Sequence, residues 1–266
     1  MMPLAILGIG ACANGIADWP QLQSILSGHD AHVPSPLGNV TAASLPPTER
    51  RRANVLSHVA LRVGAEAICE LPPELVPGLA TVFSSAHGDG QVLAQMLDSL
   101  AREPGALSPT LFHNSVFNAP AGYWSIAMHC EGPSTMVCAG DASFAAGLIE
   151  ACAKASSTHE AILYVSADVP FPASLAAYGV DHAAFACAVL LAPAQPLRDA
   201  SCGSIGEWTI SASDTAGAGS APLGDFFAHN AAASSLPLLT AVALRRKTTV
   251  RLPYLDGTML DVAYMP

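Results

Sequence analysis

The sequence predicts an α/β fold in which a β-sheet is covered by helices on both faces. Short apolar runs recur along the chain, segments with helical periodicity lie between them, and clusters of glycine, proline and serine separate the two. Runs that are apolar at consecutive positions are typical of strands buried on both faces. The predicted strands cover residues 4–9, 80–84, 134–139, 161–166, 183–191, 204–211, 248–252 and 259–263.

Helix-start and helix-stop signals place helices between these strands. Asp18 is expected to cap a helix that runs to about Leu26, and Thr48 to begin a long helix that ends at Leu71-Pro72-Pro73. The last helix carries Pro237 in its first turn, where proline is tolerated. The remaining helices are expected over residues 91–102, 122–130, 142–155 and 234–244.

Turn-forming residues predict the connections. Residues 27–47 and 212–223 are expected to be loops, and Ser108-Pro109 to open a further looped segment. Asp256-Gly257 is a turn sequence, so the last two strands are expected to pair as a closing hairpin. Without an internal repeat, residues 1–266 are expected to form a single domain with its core in about residues 1–191, and the role of 192–266 stays open.

The composition excludes several classes of protein. Charged residues make up 12% of the chain, about half the usual level, and apolar residues make up 51%. A surface so poor in charge predicts a large permanent subunit interface. The net charge of −10 argues against nucleic acid and anionic lipid as partners. No apolar run reaches the ~18 residues that a membrane-spanning helix needs.

The cysteines and basic residues give little sign of a bound cofactor or metal. The seven cysteines form no CxxC pair, so neither a zinc site nor a disulfide framework is expected. The first residues lack the pattern of a signal peptide, which together with the free cysteines predicts a cytoplasmic protein.

Two short basic clusters occur, at Arg50-Arg51-Arg52 and at Arg245-Arg246-Lys247. Each is either a solvated helix end or a small basic patch for an acidic partner such as a carrier protein.

The stretch from Gly132 to Phe144 is the most informative part of the chain. It reads Gly-Pro-Ser-Thr-Met-Val-Cys-Ala-Gly-Asp-Ala-Ser-Phe, which predicts a strand, a sharp turn and the start of a helix. A cysteine at such a corner has a lowered pKa and serves as a nucleophile, because helical N–H groups point at it. The corner here consists of Gly140, Asp141, Ser143 and Phe144.

Two roles are open for Asp141. As an N-cap it would accept hydrogen bonds from N–H groups near Ser143 and Phe144, and we expect this role; the alternative is a catalytic carboxylate. Cys138, three residues earlier, is expected to lie within the strand with a buried, inert thiol. His87, in Ala86-His87-Gly88-Asp89-Gly90, is expected to be structural, since no metal spacing or phosphate-loop pattern accompanies it.

These motifs resemble the nucleophile region of β-ketoacyl synthases, the condensing enzymes of the thiolase superfamily. The nucleophile region of the family is matched by Gly-Pro-Ser-x-x-Val, which begins at Gly132 and is followed by the corner. The helix that precedes this region in the family is similar to Phe117-Asn118-Ala119-Pro120-Ala121-Gly122. Residues 4–10 are similar to the opening strand. Residues 45–52 and 236–239 are similar to a short subgroup, the chain-length factors of bacterial aryl polyene synthesis. The resemblance implies a thiolase-like half-unit, a mixed five-stranded sheet with helices on both faces.

Two departures from the family pattern bear on activity. Asp141 stands where the family has its cysteine, and a carboxylate that attacked an acyl thioester would give a mixed anhydride prone to hydrolysis. The resemblance also implies that the catalytic histidines come from a second half of the fold, which 266 residues do not accommodate. Ala228-His229-Asn230 does not match the family's histidine motifs. No catalytic residue is therefore expected in this chain.

The resemblance singles out one more segment, residues 111–118. In the family the matching stretch reaches across the dimer and helps to close the far end of the partner's acyl tunnel, where bulky side chains limit the length of the product. Ordinary interface packing is the alternative. The candidate residues are Leu111, Phe112, His113, Val116, Phe117 and Asn118.

The sequence thus predicts a non-catalytic chain-length factor. It would pair with a full-length β-ketoacyl synthase as a heterodimer, shape its acyl tunnel, and work on chains held by an acyl carrier protein, without a cofactor or metal of its own. Two alternatives stay open: an acyltransferase or acyl-thioester hydrolase that uses Asp141 or Cys138, and a homodimeric acyl-binding protein.

Overall fold

The structure is a computed structural model that describes residues 3–102, 107–175, 183–194, 202–212 and 223–266. Its strands are β1 (Leu4–Ala13), β2 (Ala80–Ser84), β3 (Ser134–Val137), β4 (Ile162–Asp168), β5 (Phe185–Pro193), β6 (Ser204–Ala212), β7 (Thr248–Pro253) and β8 (Thr258–Met265). Each corresponds to a predicted strand, and β7 and β8 pair antiparallel as predicted.

All of these strands belong to one mixed sheet with the order β3-β2-β4-β5-β1-β6-β8-β7. β2 runs parallel to β3 and β4, and the remaining pairs are antiparallel. The expected count of five strands is wrong. The first five strands of the chain form the group that the resemblance implied, but β6 pairs with the start of β1 and carries β8 and β7 into the same sheet.

The helices are α1 (Trp19–Leu26), α2 (Pro47–Arg52), α3 (Val55–Ala67), α4 (Gly90–Arg102), α5 (Pro109–Ser115), α6 (Ala119–Met128), α7 (Ser143–Thr158) and α8 (Leu236–Ala243). Asp18 caps α1 as predicted, because its carboxylate accepts a hydrogen bond from the Gln21 amide at 2.9 Å. Short 3₁₀ turns cover Pro73–Gly78, Ala173–Leu175, Ala232–Ser235 and Leu255–Gly257.

Two helix predictions are wrong. The long helix expected from Thr48 is broken, because Ala53 is extended and the Asn54 side chain caps α3 by accepting a hydrogen bond from the Ser57 amide at 2.9 Å. The looped segment expected after Ser108 contains α5, whose start is Ser108 as N-cap followed by proline. Most of the loop expected over residues 212–223 lies outside the described residues.

Helices cover both faces of the sheet, as predicted. Along β4, Ile162 and Tyr164 pack into a core formed with α7, α1 and α8, whereas Leu163 and Val165 pack into a second core formed with α3 and α6. Alternate residues of one strand therefore enter separate cores, which is why the strand sequences are apolar at consecutive positions.

Helix α3 lies unusually close to β1, and two glycines make this possible. A Cβ atom at Gly10 would lie 2.0 Å from the Val63 carbonyl oxygen, and one at Gly8 would lie 2.0 Å from the Ala67 carbonyl oxygen. Neither strand position can hold a side chain unless the helix backbone shifts. The Gly8-Ile9-Gly10 sequence therefore serves helix packing.

We predict that Gly10→Ala destabilises the protein and that Gly122→Ala does not. The first change forces a methyl group against helix backbone, which we expect to lower the free energy of unfolding by about 3 kcal/mol. Gly122 lies exposed in α6 with open space around its Cβ position. Alanine there should therefore raise the free energy of unfolding, by at most about 1 kcal/mol. Urea unfolding of both variants tests this. Equal stability of the two variants would contradict the close packing.

Candidate functional site

The corner between β3 and α7 is held by a serine. The Ser143 hydroxyl accepts a hydrogen bond from the Ala139 amide at 3.0 Å, and the carbonyl oxygens of Gly140 and Ser85 lie 2.6 and 3.3 Å from it as acceptors for its proton. Ser143 is fully buried. The turn is thus closed on itself and fastened to the segment that follows β2.

Asp141 is not the cap of α7, so that prediction is wrong. The N-cap position is Ala142, where no side chain bonds to the first helical amides. Asp141 lies one residue earlier in an exposed turn, and within the described part of the chain no hydrogen bond or ion pair involves its side chain. The turn at Gly140, which has φ +53°, directs the chain so that Ser143 takes the bracing role.

The first turn of α7 is fixed from beneath by a buried tyrosine. The Tyr164 hydroxyl donates a hydrogen bond to the carbonyl of the fully buried Phe144 at 2.7 Å, and it lies 2.8 Å from the Ser84 hydroxyl. Burial raises the pKa of Tyr164 well above its usual value, so the hydroxyl keeps its proton. Gly147 lets the helix approach this ring, since a Cβ atom there would lie 2.5 Å from the Tyr164 oxygen.

Cys138 is exposed, which contradicts the prediction that its thiol is buried. It follows β3, which among the described strands pairs only with β2, so one side of this segment has no neighbouring strand in that part of the chain. The thiol donates a hydrogen bond to the Ala86 carbonyl at 3.3 Å. Cys152 and Cys187 are buried, and burial raises the pKa of each thiol to about 12.

Residues 85–88 form a wall on the far side of the corner. The buried Asp168 carboxylate accepts hydrogen bonds from the Ser85 hydroxyl and the Ala86 amide, both at 2.8 Å. The Ser85 hydroxyl in turn accepts a hydrogen bond from the Gly88 amide at 3.0 Å. Asp168, at the end of β4, thereby fixes the loop that separates the corner from the region beyond it.

Beyond this wall lies a cleft with a volume of about 120 Å³. Gly88 contributes to the cleft, and a Cβ atom at Gly88 would lie 3.6 Å from the Phe117 ring. The apolar lining consists of Leu56, Leu93, Val116, Phe117 and Pro120. The polar lining consists of Asn54, His87, Asp89, Asn114 and Ser115.

The structure brings only some of the candidate residues to this cleft. Val116 and Phe117 line it, whereas Leu111, Phe112, His113 and Asn118 do not. Phe112 is 60% exposed. The His113 ring packs edge-on against Tyr123 with a centroid distance of 5.6 Å, and Asn118 begins α6 without a side-chain cap.

Among the polar residues of the cleft, the sequence pointed only to His87, which was expected to be structural, and the other four were not predicted as site residues. Asn54 and Asp89 carry a recognisable signal, since each is a capping residue at the start of a helix. That signal predicts a helix boundary and says nothing about a shared cleft. Their convergence depends on how α3, α4 and α5 pack.

An apolar surface adjoins the cleft. Helix α4 exposes Leu93, Leu97 and Leu100, which are 47, 48 and 39% exposed and share one face by their spacing. Leu93 also lines the cleft, so this "α4 stripe" and the cleft are continuous. In the described residues, no cluster of three or more potential ligands could hold a metal ion, and no helix is long and apolar enough to cross a membrane.

The fold and the corner define a half-unit of the thiolase type, and the family comparison agrees. Residues 18–250 match the family described as beta-ketoacyl synthase, N-terminal domain. The chain therefore belongs to the N-terminal-domain family of β-ketoacyl synthases, which confirms the resemblance. No curated protein matches the chain by sequence.

Solved structures with the same fold include ketosynthase and chain-length-factor complexes. The ketosynthase ApeO in complex with its chain length factor ApeC, from Xenorhabdus doucetiae, gives a TM-score of 0.73 at 22% identity, over 99% of this chain and 100% of that chain. The ishigamide ketosynthase/chain length factor gives a TM-score of 0.76 at 13% identity, over 98% of this chain and 99% of that chain. A type II acyl carrier protein complex with its ketosynthase, AntDE:AntF, gives 0.76 at 12% identity, over 99% of each chain.

We predict that Asp141→Ala leaves stability almost unchanged and that Ser143→Ala lowers it. Asp141 braces nothing in the turn, so its loss should change the free energy of unfolding by less than about 0.5 kcal/mol. Loss of the Ser143 hydroxyl leaves the Ala139 amide without its acceptor and removes the one O–H donor that the Gly140 and Ser85 carbonyls share, which we expect to cost about 2 kcal/mol. Thermal unfolding of both variants tests this, and a larger loss for Asp141→Ala would restore its capping role.

Proposed function

We propose that this chain is a non-catalytic chain-length factor that pairs with a full-length β-ketoacyl synthase. The observation that carries the proposal is the juxtaposition of a nucleophile corner occupied by Asp141 with a cleft lined by Val116 and Phe117. The partner would form the carbon–carbon bond. This chain would provide part of the wall that limits how far the growing acyl chain extends.

The corner lacks the groups that acyl transfer needs. Asp141 is exposed to water, in which a mixed anhydride formed on its carboxylate would hydrolyse. The exposed thiol of Cys138 supports the alternative of an active enzyme, but it donates its hydrogen bond to a backbone carbonyl. Within the described residues, neither side chain is hydrogen-bonded to a histidine that could act as a base.

A subunit interface is supported by the surface beside the corner. At its outer edge β3 pairs with no other described strand and so presents backbone groups, and the α4 stripe presents three leucines. A partner that covered both would also close the cleft, because Leu93 belongs to the stripe and to the cleft. The low charge of the chain fits such a buried surface. A homodimer that binds acyl groups would use the same surface and is the alternative.

An acyl carrier protein is the second partner that we propose. Arg50 is used within the chain, where it donates hydrogen bonds to the Ala43 and Leu45 carbonyls. Arg51 and Arg52 are exposed, and the Arg52 carbonyl accepts a hydrogen bond from the cleft residue Asn114 at 2.6 Å. The Arg52 guanidinium is paired with Glu49 at 3.4 Å, so Arg51, which has no ion-pair partner within the described residues, is the residue of this group that offers positive charge to an acidic carrier. The similarity of residues 45–52 and 236–239 supports the synthesis of aryl polyenes, in the cytoplasm, as the setting.

Co-purification with the ketosynthase, sought first among the products of neighbouring genes, tests the pairing. We expect a stable complex in which Cys138 is protected from iodoacetamide, because the partner covers the β3 edge. Cys69 is the internal control, since it is exposed and follows α3 on the β1 side of the sheet, roughly 20 Å from β3. Mass spectrometry gives the labelling rate of each thiol. No complex, or equal labelling of Cys138 with and without the partner, would refute the pairing.

A size series at Val116 tests the chain-length role. Val116→Trp should fill part of the cleft and shorten the main product of the complex by about one two-carbon unit, and Val116→Ala should lengthen it, because overpacking a filled cavity is unfavourable. Thr110→Trp is the control, since Thr110 is exposed on α5, the helix that ends just before Val116, and does not line the cleft. Mass spectrometry of the products gives their length. An unchanged length in both Val116 variants would contradict the proposal.

A further inference from the structure

The turn at residues 42–45 anchors a long segment of the chain that contains no helix or strand, residues 27–46. The Leu45 amide donates a hydrogen bond to the Ala42 carbonyl at 3.2 Å and closes the turn. The side chains of Ala42 and Leu45 are both buried in the core formed with α3 and α6. The position of this turn therefore decides how the segment before α2 packs against α3.

Two side chains hold the turn from different helices. The Arg50 guanidinium, on α2, donates hydrogen bonds to the Ala43 and Leu45 carbonyls, both at 2.7 Å. On α3, Nδ1 of His58 accepts a hydrogen bond from the Ala42 amide at 3.2 Å. A ring nitrogen accepts a hydrogen bond only while it carries no proton, so this contact requires a neutral imidazole with its proton on Nε2. The turn is thus held by one permanent cation and by one group that titrates.

A proton on His58 would meet positive charge at this turn. Arg50 is the charged group of α2 that acts on the imidazole, and the turn itself carries no charged residue. Arg62 lies one helical turn further along α3 and donates to a carbonyl before α1, at 3.0 Å. Glu49, also on α2, is paired with Arg52. Within the described residues, no carboxylate forms an ion pair with His58 that would compensate its charge.

The surroundings of His58 favour its neutral form. Burial lowers the pKa of His58 below its usual value, a hydrogen-bonding contact with the Arg50 carbonyl raises it in part, and the Arg50 charge lowers it. The folded chain therefore binds this proton less readily than the unfolded chain. The stabilising contact is complete above the usual pKa of histidine, and it is lost as the pH falls from that value towards the lowered one.

We propose that His58 is a pH-sensitive switch for the turn at residues 42–45. Neutral His58 accepts the Ala42 amide and keeps the turn closed against α3. Protonated His58 loses this hydrogen bond and is repelled by Arg50, so the turn opens at Ala42 and its hold on α2 weakens.

The switch acts on the helix that borders the cleft. The Arg52 carbonyl, at the end of α2, accepts a hydrogen bond from the Asn114 side chain at 2.6 Å, so a loosened α2 also loosens its contact with α5. Arg51 is exposed on the same short helix. Mild acid thus weakens the part of the surface that the proposed function assigns to the carrier protein. The switch itself does not depend on that function.

Amide hydrogen exchange of the full chain, followed by NMR, tests the switch. Between about pH 7.5 and about pH 5 we expect the protection of the Ala42 amide, corrected for the intrinsic pH dependence of exchange, to fall about tenfold. The ring resonances of His58 should shift with the same midpoint, because one proton governs both changes. This midpoint should lie below that of a histidine in an unfolded peptide.

His58→Asn separates the hydrogen bond from the proton. The asparagine oxygen can occupy the place of Nδ1 and accept the Ala42 amide, but it does not titrate, so protection should stay within about twofold over the same pH range. His58→Ala removes the acceptor and should give low protection at both pH values. His159→Asn is the control, because His159 is exposed after α7 with φ +61°, a conformation that asparagine tolerates, and it should keep the wild-type response.

Three results would overturn the switch: Ala42 protection that is independent of pH in the wild type, an equal loss of protection in His58→Asn, or different midpoints for the Ala42 amide and the His58 ring. If neither His58 variant folds, the two wild-type midpoints still decide. None of these measurements involves the ketosynthase. A failed switch therefore leaves the subunit role intact, and failure to form a complex leaves this test valid.

Discussion

The carboxylate of Asp168 holds together the two halves of the site. It accepts hydrogen bonds from Ser85 and Ala86 and so fixes a loop that contacts the corner on one side and the cleft on the other. Ser143 and Cys138 reach the same loop from the corner. The geometry of the corner and the shape of the cleft are therefore linked through one buried polar side chain, whose burial is unfavourable unless it is hydrogen-bonded in this way.

This arrangement explains how the corner keeps its shape with Asp141 at the position where the resemblance implies a cysteine. The turn is braced by Ser143 and the first turn of α7 by Tyr164, so neither depends on the residue at position 141. The side chain at position 141 can therefore change without loss of either of these contacts. The cleft, in contrast, depends on the packing of α3, α4 and α5: Asn54 and Asn114 join α3 to α5, and Asp89, which caps α4, accepts a hydrogen bond from the Leu56 amide of α3. Selection on product length would act on the cleft, not on the corner.

Much of the fold could be predicted from the sequence, because the central strands β1, β2, β4 and β5 are largely buried on both faces and read as mostly apolar runs. The errors occurred where local signals compete. Asn54 ends one helix and caps the next within a stretch of good helix formers, and Ser108-Pro109 begins a helix although the same pair often marks a loop. The exposure of Cys138 follows from the edge position of β3, which depends on strand order. The cleft required three helices to converge, and no spacing along the chain encodes that.

The central claim is that this subunit shapes the tunnel while its partner carries the acyl group. Intact-mass spectrometry of the reconstituted complex, quenched during synthesis with acyl carrier protein and malonyl units, tests it most directly. We expect acyl adducts on the ketosynthase subunit and an unmodified mass for this chain. A covalent acyl adduct on this chain, mapped to Asp141 or Cys138, would contradict the account.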